Sequence, residues 1–295
     1  MKKTITSISV ASCFTLLSPT FALAQEDTAA TEEVQEKKKF AKLRSKAKKS
    51  MMTGLRLLEK GKVDEEQDIN EIAQGVQMLV ELGEGIIPKC ISSFPRMAKV
   101  DRLTPLREVL DKVLVDEDLD LALALSNKST SDEVYAYLMK RWADSSREDC
   151  VDVLTDFFTH GSAEINYHCT RGLINRSQEI AIAACVDIVN KQWVESKQQL
   201  RIDFSGSSRG LMSDIIKEKI TTSNKKARLL GLHLFELFGL EENAYLLKDN
   251  LNNSDTALRL GAINACRVVV AKEQPLLRPS MTELIELATE WSAKL

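Results

Sequence analysis

Apolar residues recur through the chain at intervals of three and four. Cys150, Val153, Leu154 and Phe157 are one such set, and Ala227, Leu230, Gly231, Leu234, Phe235 and Phe238 are another. That spacing lines one face of a helix with a period of 3.6 residues. The pattern runs helix after helix with turn-sized breaks, and several starts are marked. Thr130/Glu133, Ser145/Glu148 and Ser280/Glu283 fit capping boxes, while Thr104 before Pro105 reads as an N-cap with proline at the first helical position. Glycine (12) and proline (6) make up about 6% of the 295 residues, half the usual share of roughly 12%. With aromatics at only 5% and Leu, Ala, Lys and Glu dominant, strands are starved of the residues they favour. The expected fold class is all-α.

The strongest organising signal is a repeat. Ala227-Arg-Leu-Leu230-Gly231 and Ala257-Leu-Arg-Leu260-Gly261 lie 30 residues apart, and the same offset pairs Leu246, Leu247, Lys248 and Leu251 with Leu276, Leu277, Arg278 and Met281. Two helices therefore recur as a unit, with Leu260 on the shared inward stripe and Asn264 its single polar break. Gly231 and Gly261 each cost about 1 kcal/mol in a helix interior, which close helix approach would explain. Between residues 115 and 223 no convincing copy is found at this offset. Val134 to Leu138 and Ile180 to Ala184 are comparable segments 46 residues apart, so the repeat length is expected to drift.

These two copies, with Leu82-Gly83-Glu84-Gly85-Ile86-Ile87-Pro88-Lys89-Cys90-Ile91, resemble the HEAT repeat family, particularly its short-repeat bacterial forms. The resemblance covers residues 223–292 and extends to 72–115. It implies an α-solenoid of antiparallel helix pairs over residues 63–295, each pair packing on its neighbours and the array offering an extended binding surface.

The N-terminus speaks to the compartment. Lys2 and Lys3 precede an apolar stretch from Ile5 to Phe21, and Ala22-Leu23-Ala24 before Gln25 fits an A-x-A cleavage site, so residues 1–24 read as a secretory signal peptide. Thr, Ser and Pro19 interrupt the run and weaken a membrane-anchor reading. Lipid attachment at Cys13 is disfavoured by the short apolar run before it. Removal of the two lysines takes the net charge from −3 to −5, which predicts no bulk attraction to nucleic acid. The protein is expected to be periplasmic or extracellular.

Residues 25–36 are acidic and small and read as a disordered leader. Residues 37–62 read as a basic amphipathic helix on the stripe Phe40, Leu43, Ala47, Met51, Leu55 and Leu58. Eight cations, Lys37, Lys38, Lys39, Lys42, Arg44, Lys46, Lys48 and Lys49, make it the candidate anion-binding element, for a lipid head group, a polysaccharide or an acidic partner. A solvated capping helix is the alternative.

Motifs of catalysis are not found. No H-E-x-x-H, G-x-S-x-G, P-loop or G-x-G-x-x-G occurs, so no catalytic residue, cofactor or metal is predicted. Iron-dependent hydroxylases built on HEAT-like repeats use His-Glu pairs, from which this chain departs. Cys90, Cys150, Cys169, Cys185 and Cys266 fall on apolar spacings and read as buried free thiols. His233, beside the stripe, reads as a packing histidine. Asp203 to Gly210 reads as an inter-repeat connector, and Asp64-Glu65-Glu66 and Asp116-Glu117-Asp118 as solvated loop charge. The sequence reading is a non-catalytic, exported scaffold or adaptor that binds another protein. The rivals are a lyase-type enzyme on a HEAT-like chassis, since some short-repeat relatives are bilin lyases, and an envelope-attachment protein using the basic segment. Oligomeric state is left open.

Overall fold

A computed structural model describes residues 39–60, 66–126, 131–159 and 162–295. The segment read as a signal peptide, the acidic leader, Lys37 and Lys38, the acidic pair at 64–65, Thr130 and His160 lie outside them. Among the described residues every regular element is helical. The α-helices are α1 (Ser45–Lys60), α2 (Glu66–Val80), α3 (Ile87–Lys99), α4 (Leu103–Val113), α5 (Leu119–Ser126), α6 (Asp132–Asp144) and α7 (Cys150–Phe157). They continue with α8 (Ala163–Ile174), α9 (Ile182–Asp203), α10 (Ser213–Thr221), α11 (Lys225–Phe238), α12 (Lys248–Leu251), α13 (Thr256–Cys266) and α14 (Met281–Lys294). A π-turn, Arg267–Ala271, continues α13 and closes at Lys272 with φ +58°.

Packing follows chain order: α1 lies on α2, α2 on α4, α6 on α8, α8 on α9, α9 on α11, and α11 on both α10 and α13. One contiguous core runs through all of them, with Phe94, Trp142, Phe204, Phe235 and Phe238 its largest fully buried side chains. The turn read at Leu82 to Ile91 is built as its residues suggest. Gly83 takes φ +64°, a region glycine enters without steric cost, and Pro88 stands in the first turn of α3.

Helix starts reveal the true period. The residues preceding α6, α8, α11 and α13 are Ser131, Ser162, Asn224 and Asp255, at spacings of 31, 62 and 31. Asn224 and Asp255 both cap by accepting from the second and third backbone N–H groups of their helices, at 3.0 and 3.2 Å in each case. Register therefore advances by 31, not 30, and Gly231 corresponds to Ala262, Leu234 to Ala265 and Phe235 to Cys266, all buried. The shift changes the reading of Asn264. Leu260 is partly buried and packs on the core as expected, but Asn264, which now matches His233, is not a flaw in the stripe: it is 8% exposed. Asn264 donates Nδ2–H to the Leu276 carbonyl (3.2 Å) and accepts from the Leu276 N–H (2.7 Å), clamping the segment after the π-turn to α13.

Other corrections are local. The basic helix begins at Ser45, and residues 39–44 are not helical; Phe40 and Leu43 still pack on the core, with Leu43 against Gly85. Helix α4 begins at Leu103, so Pro105 is its third residue, and α7 begins at Cys150, so Ser145 accepts from the Arg147 N–H without capping it. The Ser280/Glu283 capping box is present in full. Asp116 and Asp118 are not solvated charge: Asp118 is buried and Asp116 pairs with Arg141 at 3.5 Å.

Candidate functional site: the grooves along α9

Helix α9 is the longest of the described helices and contains one non-helical residue, Ser196 (φ −127°, ψ 19°). It exposes Val194 (88%) and Ile202 (66%), large apolar side chains that cost free energy in water. Grooves open on both sides of it. On the α8 side a cavity of about 510 Å³ is lined by Lys140, Tyr167, His168, Arg171, Gln199 and Asp203 among others. On the α11 and α13 side lie two more, of about 310 and 350 Å³, which share Arg201 and Glu236 in their walls.

Charge is concentrated at these walls. Tyr167 Oη donates to Asp203 Oδ2 at 2.5 Å, and Arg171 bridges Asp203 (3.4 Å) and Asp144. Burial and the Asp203 carboxylate push the Tyr167 hydroxyl well above its ordinary value. Across the helix, Arg201 pairs with Glu236 at 2.5 Å and lies 5.4 Å from the centre of the Trp193 ring. Glu236 is only 3% exposed; burial raises its pKa and Arg201 opposes that rise. His233 stacks on Trp193, ring centres 4.3 Å apart and planes 13° off parallel. Burial holds His233 down to about 4, helped by Arg201 and Lys197, and holds His168 down to about 4, helped by Arg171 and Lys140. Both imidazoles are neutral at pH 7, and His168 Nδ1 is buried without a partner.

The described cations of the candidate anion-binding set lie elsewhere. Lys39, Lys42 and Arg44 belong to the non-helical segment before α1, Lys46, Lys48 and Lys49 to its first turns, and all six are exposed. None forms an ion pair with another described residue. No described helix is long and apolar enough to cross a membrane. The connector after α9 is pinned on both sides. Ser207 Oγ donates to Asn175 Oδ1 (2.6 Å), Arg209 donates to the Gly239 carbonyl (3.0 Å), and the Gly210 N–H donates to the Phe238 carbonyl (2.9 Å). All five described cysteines are free and buried. Burial pushes Cys90, Cys169, Cys185 and Cys266 up to about 12 and raises Cys150, which withdraws these thiols from nucleophilic chemistry at neutral pH. No group of three His, Cys, Asp or Glu among the described residues is gathered for a metal ion.

Sequence reasoning found His233 as a packing residue but missed Trp193, Lys197, Arg201 and Glu236. A signal existed: Arg141, Arg171 and Arg201 are spaced by 30 residues, the first two preceded at four by Tyr137 and Tyr167, and each pairs with an acid of a neighbouring element. No protein-family model matches the chain, and no curated protein is found similar to it.

Proposed function

We propose that the chain is an exported α-solenoid of HEAT-like helix pairs that serves as a non-catalytic adaptor, binding a partner protein along α9. The 31-residue recurrence of helix starts and the packing of neighbours in chain order support the solenoid. The observation that carries the binding role is the exposure of Val194 and Ile202 on a helix bordered by grooves on both sides. Grooves with apolar walls and a few fixed charges suit an extended polypeptide, which gains apolar burial in one part and orientation in another.

The test places a photo-reactive residue at Val194 or at Ile202, with Glu286 on α14 as the control, and irradiates native envelopes before mass spectrometry. One polypeptide captured from both α9 positions and not from the control is the expected result. Capture of nothing, or the same products from all three positions, refutes the adaptor reading. A second reading, attachment to an anionic surface, rests on the six exposed cations at 39–49. It requires sedimentation with anionic vesicles that falls steeply with salt and is lost when Lys39, Lys42, Lys46, Lys48 and Lys49 become glutamine.

A further inference from the structure

The 310 Å³ cavity between α9, α11 and α13 is lined by both apolar and charged side chains. Leu229, Leu260 and Leu276 supply apolar surface, while Lys197, Arg201, His233 and Glu236 supply polar groups, with Trp193 stacked on His233 between them. Almost all of the polar capacity is already used. Asn264 spends both ends of its amide on Leu276. Arg201 and Glu236 neutralise each other at 2.5 Å, and His233 is uncharged. Lys197 remains. It lines the cavity, forms no ion pair or hydrogen bond with another described residue, and its charge bears on both His233 and Glu236. The balance is one surplus positive charge beside an apolar recess, and the ligand it complements carries one anionic group next to one apolar group.

We infer that this cavity receives the carboxyl-terminal residue of the partner polypeptide, an apolar side chain entering between Leu229 and Leu260 while its terminal carboxylate meets Lys197. The inference rests on the adaptor reading above. A free small carboxylate would satisfy the recess alone, but the groove does not stop there. A second cavity, about 350 Å³ and lined by Phe204, Leu237 and Lys272, has the same Arg201 and Glu236 side chains in its wall. A chain that ends in the first cavity and runs back across the pair fills both, as capture of a polypeptide terminus does in other recognition modes.

The full-length protein is titrated into a fluorescein-labelled peptide, Gly-Ser-Gly-Ser-Ala-Leu, read by fluorescence polarisation. The free-acid peptide is expected to bind, and its C-terminal amide to bind roughly 10- to 100-fold more weakly, as loss of a charge-assisted contact implies. Lys197→Met, which keeps the length and apolar stem, should bring the same loss with an unchanged melting temperature, and Lys217→Met on the exposed side of α10 should change neither. Binding of acid and amide with equal affinity, or of neither peptide, overturns the inference. Decanoate that binds as tightly as the free-acid peptide and displaces it also overturns it, because a small carboxylate would then be the ligand. Cross-linking from Val194 and Ile202 reports on the adaptor reading separately: a partner captured there through an internal segment leaves that reading standing and ends this one.

Discussion

Replacing Asn264 by aspartate should destabilise the protein more than replacing Leu260 by aspartate, the reverse of what the apolar stripe alone suggests. Asn264 is 8% exposed and holds Leu276 by two hydrogen bonds, 2.7 and 3.2 Å long. Aspartate keeps the acceptor for the Leu276 N–H but removes the donor, and sets a carboxylate oxygen against the Leu276 carbonyl. The lost bond costs about 1 kcal/mol and the orphaned carbonyl about 2 more, so roughly 3 kcal/mol follows before any cost of the buried charge. Leu260 is half-buried at a groove that opens to water. An aspartate there forfeits most of a leucine's burial, about 1.5 kcal/mol, while its carboxylate stays hydrated. For a chain of this size each kcal/mol moves the melting temperature by about 2–4 °C, so the two variants should fall by roughly 6–12 and 3–6 °C. Urea unfolding followed by far-ultraviolet circular dichroism gives the same comparison in free energy. Protonating the introduced carboxylate would restore a donor, so the gap between Asn264→Asp and wild type should narrow from pH 7 to pH 5. A larger loss from Leu260→Asp, or an Asn264→Asp gap that ignores pH, would refute the 31-residue register and the clamp derived from it.

Acid should weaken the fold through its two buried imidazoles. His168 and His233 have folded values near 4 against an ordinary 6.5, so their stabilisation is complete above pH 6.5 and is lost as pH falls toward 4. Urea titrations of the His168→Phe, His233→Phe double variant should show a flatter acid limb, by up to about 3 kcal/mol for each histidine. Arg201→Met leaves Glu236 buried without its cation and should cost about 3–5 kcal/mol at pH 7. Because the Glu236 pKa is already raised, part of that loss should return as the pH drops to 5 and the carboxyl takes up a proton; no recovery would mean that the group is solvated. Gly231→Ala would set a Cβ 2.8 Å from the Ile220 backbone nitrogen and should cost about 2 kcal/mol, whereas the Cβ of Gly261→Ala meets the Leu232 side chain at 3.1 Å. That side chain can yield, and the gain of about 1 kcal/mol in helix propensity should leave Gly261→Ala near wild type or above it in a thermal melt.

The helical character of the chain was legible from periodicity and composition because both act locally: every turn repeats the same test of spacing. Register was not. Ala227 to Gly231 and Ala257 to Gly261 align closely at 30, yet the caps Asn224 and Asp255 set the geometry at 31, and a one-residue slip rotates a helix face by about 100°. Leu260 still packs on the core, at the lip of a groove, and Asn264 moved from a flaw in the stripe to a buried clamp. Charge was legible as composition but not as partnership. The cations at 39–49 are adjacent in sequence and stood out, while Arg201 and Glu236 are 35 residues apart and meet only through the packing of α9 on α11. Pairing across layers leaves a trace in sequence only as spacing, and Arg141, Arg171 and Arg201 carry that trace.

The same 31-residue spacing sets α9 apart from the helices around it. Counting 31 from Ser162 reaches residue 193, and 31 more reaches Asn224, so a helix start belongs at 193. The chain has no Ser, Asn or Asp there. It has Trp193, and in place of a turn the helix continues with a single non-helical residue at Ser196. Trp193 cannot cap, and its indole instead packs on His233 of α11 and takes the Arg201 guanidinium near its face. The merged helix carries Val194 into water and sets Lys197 at the cavity where the other layers have an ordinary first turn. Local rules are broken most often where function requires it, because the stability given up must be returned by something else. Here the departure from the 31-residue spacing and the two most exposed large apolar residues of the described chain coincide at one helix, and that coincidence is the physical ground for proposing recognition at α9 rather than at the more conspicuous charge of the N-terminus.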